Sequence, residues 1–134
     1  MNGLLLFAHG ARDPRWARPF EAIAQRIASE QPGWQVRLAF LEFLQPGFDE
    51  AVEQLLADGC DTLHVLPMFL GSGGHVQRDL PGLVAAAQAR SAASIRWHLH
   101  PPLGEMPRLI EAMADCCIAA ALNPTPAVQG DPAA

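Results

Sequence analysis

At 134 residues, half of them apolar and 17% charged, the chain has the make-up of one folded domain rather than a disordered segment. Its formal net charge of −5 argues against nucleic acid as a partner, because phosphate binding needs a basic face. All nine basic residues are arginine, which excludes lysine Schiff-base and P-loop lysine chemistry. No apolar run reaches the roughly 18 residues needed to cross a bilayer. Met1-Asn2-Gly3 leads straight into an apolar run with no basic leader or cleavage site, so a cytoplasmic protein is expected. The three cysteines, Cys60, Cys116 and Cys117, give neither a disulfide framework nor zinc-type CxxC spacing, and buried filler is expected for all three.

Residues 3–8 form a short apolar run closed by His9-Gly10 and predict a strand buried on both faces. Asp13-Pro14 is a helix-start pair, and Trp16, Phe20, Ile23, Ala24 and Ile27 then share one helical face. Pro19 leaves two starts open: a helix from Pro14 with a kink, or a helix from near Pro19 after an irregular lead-in. Gln31-Pro32-Gly33 stops this helix. Residues 34–41 predict a second strand with Glu42 at its end. Phe48, Val52, Leu55 and Leu56 mark a second helix closed by Gly59. Residues 62–68 predict a third strand, followed by a glycine-rich turn and a third helix capped by Asp79. Residues 95–99 predict a fourth strand. A last helix is expected over 105–122 with Leu109, Ile110, Met113, Cys117 and Ala120 as its apolar stripe. From residue 123 the composition turns to Pro, Ala, Gly and Asp, which reads as a disordered tail over 123–134 after a domain of residues 1–122.

Four β-α repeats predict an α/β fold, a four-stranded parallel sheet with helices on both faces in three αβα layers. Such sheets carry their sites at the carboxyl ends of the strands. There the sequence offers His9 after strand one, Glu42 after strand two, and His75 after the turn Gly71-Ser72-Gly73-Gly74. Two imidazoles and a carboxylate suit a divalent transition metal, and they suit proton transfer near neutral pH. The blander alternatives are a strand-end histidine bonded to backbone and a plain glycine turn, or an anion nest in that turn. Arg12, Arg15 and Arg78 beside the histidines are either solvated or hold carboxylates of an anionic ligand. Trp16 and Phe20 read as core; Phe43, Met68 and Phe69 read as core or as the lining of an apolar cleft. His64 reads as strand filler. His98 and His100, flanking the end of strand four, read as filler, or as a second metal site or an accessory contact.

Four segments carry a resemblance to a known family: Phe7-Ala-His-Gly-Ala-Arg-Asp-Pro14, Leu38-Ala-Phe-Leu-Glu42, the stretch from Pro67 to Pro81, and Pro101-Pro-Leu-Gly104. Spread over residues 3–122, they resemble the short CbiX/SirB-type class II chelatases, the sirohydrochlorin cobalto- and ferrochelatases. The resemblance implies ATP-independent insertion of Co²⁺ or Fe²⁺, with Ni²⁺ a more distant option, into the tetrapyrrole sirohydrochlorin, in cobalamin or sirohaem synthesis. It implies a metal set of His9, His75 and Glu42, with the two histidines catalytic, and no cofactor beyond the substrate metal. Arg12, Gly73, Gly74 and Arg78 are the expected substrate contacts, and a homodimer with neither membrane nor nucleic acid as partner is expected. The chain departs from the family pattern in having Ala11 where serine is common and Gln77 where lysine is common. Two readings compete: a non-catalytic metal-binding or metal-delivery protein using the same residues, and a small anion-binding module built on the 71–74 turn.

Overall fold

The computed structural model describes residues 1–71, 74–128 and 130, and for residues 75–77 the backbone alone. In chain order it contains β1 (Asn2–Ala8), a 3-10 turn (Pro14–Ala17), α1 (Arg18–Glu30), β2 (Gln35–Phe40), α2 (Phe48–Ala57), β3 (Thr62–Pro67), α3 (His75–Arg90), β4 (Arg96–Leu99), a second 3-10 turn (Leu103–Glu105) and α4 (Pro107–Leu122). The four strands are parallel in the order β2-β1-β3-β4. All of them therefore end on one rim.

Alternation along the strands sorts the core into two layers. Leu5, Phe7, Ala39, Leu63 and Val65 face α2 and α3, where they meet Phe48, Ala51, Val52, Leu55, Leu80, Val84 and Ala87. Phe7 anchors this layer, with its ring edge-on to Phe48 at 5.7 Å and to Phe69 at 6.2 Å. Each such fully buried large side chain stabilises the fold by about 1.5–3 kcal/mol relative to exposure. The opposite face carries Ala8 and Phe40 under Ala17, Trp16 and Phe20. Helices thus flank both faces, and Trp16, Phe20, Met68 and Phe69 pack against core residues. Among the described residues no helix is long and apolar enough to cross a membrane.

Both starts considered for the first helix are in use. Asp13 caps the 3-10 turn, its carboxylate accepting the Arg15 amide at 2.9 Å, and α1 begins afterwards with Pro19 in its first turn. There the missing N–H removes no intrahelical bond. The third helix departs from expectation. Asp79 is not its N-cap, because α3 starts at His75 after Gly74 and carries Pro81 inside it. Gly74, at φ 99°, takes a turn that a side chain would resist, and the helix begins four residues before Asp79.

The last helix begins at Pro107 rather than 105. Its apolar stripe is present but uncovered: Leu109 is half-buried, while Ile110, Met113 and Ile118 are exposed. Consequently the expectation of three buried cysteines fails for two. Cys60 is buried under the core, whereas Cys116 and Cys117, on α4, are exposed.

Candidate functional site

The pairing of β1 with β2 runs beyond the strands themselves. Ala8 is level with Phe40. One more bond follows the ladder, from the Leu41 amide to the Ala8 carbonyl at 3.0 Å; the Glu42 amide then donates to the His9 carbonyl at 3.1 Å, and two successive donors to one neighbour mark the chain turning out of the strand. These bonds hold the two loops side by side, and their side chains meet: His9 Nε2 lies 3.0 Å from Glu42 Oε1. Each side chain is about half exposed, at 52% and 47%. Gly10 permits the approach. It sits at φ +96°, and a Cβ on it would fall 1.9 Å from the Glu42 carbonyl oxygen.

Beside this pair the chain makes a tight reversal. The Leu44 amide donates to the Glu42 carbonyl at 2.8 Å, and Phe43 between them has φ 67°. This is a three-residue γ-turn at a bulky side chain, a conformation that costs on the order of 1–3 kcal/mol. It lifts the Phe43 ring to the surface, so Phe43 is not core. The Arg12 guanidinium lies 5.0 Å above that ring, within cation–π range. Leu41, Phe43 and Leu70 are all exposed on loops that follow strands at this rim. Arg15 is already committed: its Nε and Nη2 grip the Asp13 carboxylate at 2.7–3.1 Å, which holds the Asp13 carboxyl below its ordinary range. Arg12 stacks on Phe43, and Arg78 is exposed in the first turn of α3.

His75 is the first residue of α3, on the loop that leaves β3 at the same rim. Its side chain and Gly73 lie outside the described residues, so His9 and Glu42 are the predicted metal-set side chains whose meeting can be described. Gly74 is the N-cap of α3. The β3 loop is fastened from the far side: the Gly104 amide donates to the Phe69 carbonyl at 2.9 Å, and a Cβ on Gly104 would lie 1.9 Å from the Leu70 carbonyl oxygen. The hollow of about 390 Å³ between α1 and β2 contains neither His9 nor Glu42. It is a gap in helix packing, and the chemistry sits on the open rim instead.

An imidazole nitrogen and a carboxylate oxygen 3.0 Å apart have the spacing of two neighbouring donors on one ion. With metal–ligand bonds of about 2.1 Å and a right angle between them, the donors stand about 3 Å apart. Without an ion, the same pair is a hydrogen bond between the ring and the Glu42 side chain. Among the described residues no group of three or more His, Cys, Asp or Glu converges on one point. The described pair offers two donors and leaves the remaining positions open to other ligands. Nothing in the sequence announces the Arg12–Phe43 stack, because the γ-turn that creates it contains no glycine or asparagine.

The CbiX family profile matches residues 3–119. The chain belongs to the CbiX family. It is therefore one of the CbiX/SirB-type class II chelatases that its motifs resemble. It is 28% identical over 115 residues to the sirohydrochlorin cobaltochelatase of Sulfolobus acidocaldarius, covering 86% of this chain and 89% of that one. A second sirohydrochlorin cobaltochelatase, from Saccharolobus solfataricus, is 36% identical over 84 residues, 63% of this chain and 64% of the relative. Among solved structures, a putative cobalamin-biosynthesis CbiX protein from Marinobacter aquaeolei superposes with a TM-score of 0.77 at 27% identity, over 92% of this chain and all of that one. The cobalt complex of the sirohydrochlorin chelatase SirB from Bacillus subtilis superposes with a TM-score of 0.74 at 23% identity. That likeness is one of fold, and this CbiX chain spans about half, 51%, of the SirB chain.

Proposed function

We propose that this CbiX protein inserts Co²⁺ or Fe²⁺ into sirohydrochlorin without ATP. The observation that carries the reading is the His9–Glu42 pair, held at 3.0 Å on an open rim in a chain of chelatase lineage. In this reading the metal ion is substrate. His9 and Glu42 take it up at the rim together with His75. The macrocycle approaches over the apolar surface of Leu41, Phe43 and Leu70, its carboxylates meet Arg12 and Arg78, and Gly73 and Gly74 are further substrate contacts in this reading.

Insertion must release two pyrrole protons for each divalent ion. A neutral imidazole nitrogen holds either a metal or a proton, never both. As the ion passes to the ring nitrogens, the freed histidine accepts one proton, and the second leaves through the open rim to solvent. The protein thus needs no high-energy cofactor, since metal–nitrogen bond formation drives the exchange. The donor types do not separate cobalt from iron. The product feeds cobalamin or sirohaem synthesis in this reading.

A homodimer completes the cleft in the same reading. Its support is α4, whose exposed Ile110, Met113 and Ile118 form an apolar surface of the kind interfaces cover.

The deciding experiment is an anaerobic absorbance assay of purified protein with sirohydrochlorin and Co²⁺ or Fe²⁺, alongside His9→Ala, His75→Ala and an enzyme-free control. Rapid conversion to the metallated spectrum, lost in both variants, is the expected result. A rate equal to the control with either metal overturns the reading. Metal binding that persists without turnover would instead favour a metal-delivery protein using the same residues.

A further inference from the structure

A second group of histidines lies away from the rim. On the face of the sheet where α1 packs over β2, the other half, over β3 and β4, presents imidazoles. His64 and His98 are register partners on neighbouring strands. His100, two residues beyond His98, points to the same face, and its amide extends the ladder by donating to the Val65 carbonyl at 3.0 Å. The rings gather closely: His64 stands 4.9 Å from His98 and 5.2 Å from His100, centroid to centroid. His64 Nδ1 and His100 Nε2 are 2.9 Å apart.

This arrangement is unusual for a solvated sheet surface. Among the described residues no carboxylate pairs with any of the three rings. Burial, followed by the neighbouring His100 and His98, pushes the His64 proton affinity down. His64 is therefore a neutral nitrogen donor at neutral pH, with one ring proton shared across its 2.9 Å contact with His100.

We propose that His64, His98 and His100 form a second metal site, one that takes a nitrogen-preferring divalent transition ion. The 2.9 Å between two ring nitrogens is close to the spacing of neighbouring donors on such an ion, about 3 Å for bonds of about 2.1 Å. The ion takes the place of the shared proton. The rings now stack within 15–19° of parallel, so their lone pairs do not yet converge. Closing the site requires rotation about the side-chain torsions, and His98, which is exposed, has room to turn. Three nitrogens with no oxygen donor suit Co²⁺, Ni²⁺, Cu²⁺ or Zn²⁺ and reject Mg²⁺ and Ca²⁺.

The site is separate from the rim. His64 is level with Leu4, and His9 lies five residue steps further along the chain, at about 3.3 Å per step a distance of about 16 Å. The inference therefore does not depend on the chelatase reading.

Calorimetric titration with NiCl₂ tests it in a protein carrying His9→Ala and His75→Ala, which lacks the rim histidines. One ion per chain is expected at pH 7.5. Adding His98→Ala and His100→Ala should weaken that binding by more than the roughly 10–100-fold that loss of an outer-shell partner causes. Binding should also fall below pH 6.5, as protons compete for the rings, and MgCl₂ should give no heat. Equal nickel binding with and without His98 and His100 overturns the proposal. A second measurement uses the unaltered protein: substoichiometric Ni²⁺ should broaden the ring signals of His64, His98 and His100 in NMR spectra. Broadening confined to other histidines also overturns it.

Discussion

Gly10 stands against the backbone of Glu42 so closely that a methyl group on it would sit 1.9 Å from the Glu42 carbonyl oxygen. The two loops can lie side by side only while that position lacks a side chain. Gly10→Ala must push the loops apart and also hold a φ of +96° that alanine resists. The expected loss of stability is about 2 kcal/mol or more, read from urea denaturation, together with weaker Co²⁺ binding at the rim. A variant with the wild-type urea midpoint and wild-type metal affinity would contradict this account of the pair.

Glu42→Gln separates charge from shape. The amide keeps the hydrogen bond to His9 but offers a divalent ion a neutral oxygen in place of an anionic one. Folding should be unchanged, because the carboxylate is about half exposed and surface ion pairs contribute little. Metal affinity should drop by at least about tenfold, the low end of what loss of a mere outer-shell partner costs. Calorimetry with Co²⁺ in a His98→Ala, His100→Ala background isolates the rim.

Phe43 offers a trade between stability and binding. Glycine adopts φ 67° without the steric cost that phenylalanine bears there. Phe43→Gly should therefore leave stability unchanged or raise it by up to about 1 kcal/mol. Losing the ring also frees Arg12 from its stack. If the rim receives the macrocycle, KM for the tetrapyrrole should rise while kcat moves little. Melting curves beside steady-state kinetics would show whether the two effects part in this way.

The cluster around His64 predicts a pH dependence. Burial and two imidazole neighbours lower its pKa below the ordinary 6.5. The unfolded chain then binds a proton more readily than the folded one. The stability this group allows is complete above about pH 6.5 and declines as pH falls from there through the lower folded value. Thermal midpoints should drop between pH 7 and pH 5, and the drop should be smaller in His64→Gln. Asp13 and Asp61, whose carboxyls are held below their ordinary 3.8, contribute only at more acidic pH. An equal decline in both proteins over this window would assign it to other groups.

The repeating β-α pattern was legible because strand alternation and helical stripes are dictated by burial, and Leu5, Phe7, Val52 and Leu55 occupy the core as their spacing implies. Local rules misled where backbone freedom replaced side-chain capping. Asp79 looked like a helix start, but Gly74 had already turned the chain into α3. Pro19 left two starts open because a 3-10 turn and an α-helix share one entry, and the chain uses both in succession. The pairing of His9 with Glu42 could be anticipated from two rim positions on adjacent strands. The exposure of α4 could not, because its stripe of Leu109, Ile110 and Met113 is what a covered helix would show. Nor could the stacked histidines: seeing them required knowing that β4 lies beside β3 and in which register.

The His9–Glu42 pair is also a measure of length. β1 has seven residues and β2 has six, their register ends with Ala8 level with Phe40, and the pair follows directly after it. Deleting one residue anywhere inside β2 would leave every functional side chain in the sequence, yet exchange the faces of the β2 residues on one side of the deletion and pull Glu42 out of step with His9. Extra residues in the 31–34 connection, upstream of the strand, would cost only slowly growing loop entropy. The spacing between motifs is therefore counted in odd and even steps inside the strands and hardly counted outside them, which sets where this chain can change length and keep its chemistry.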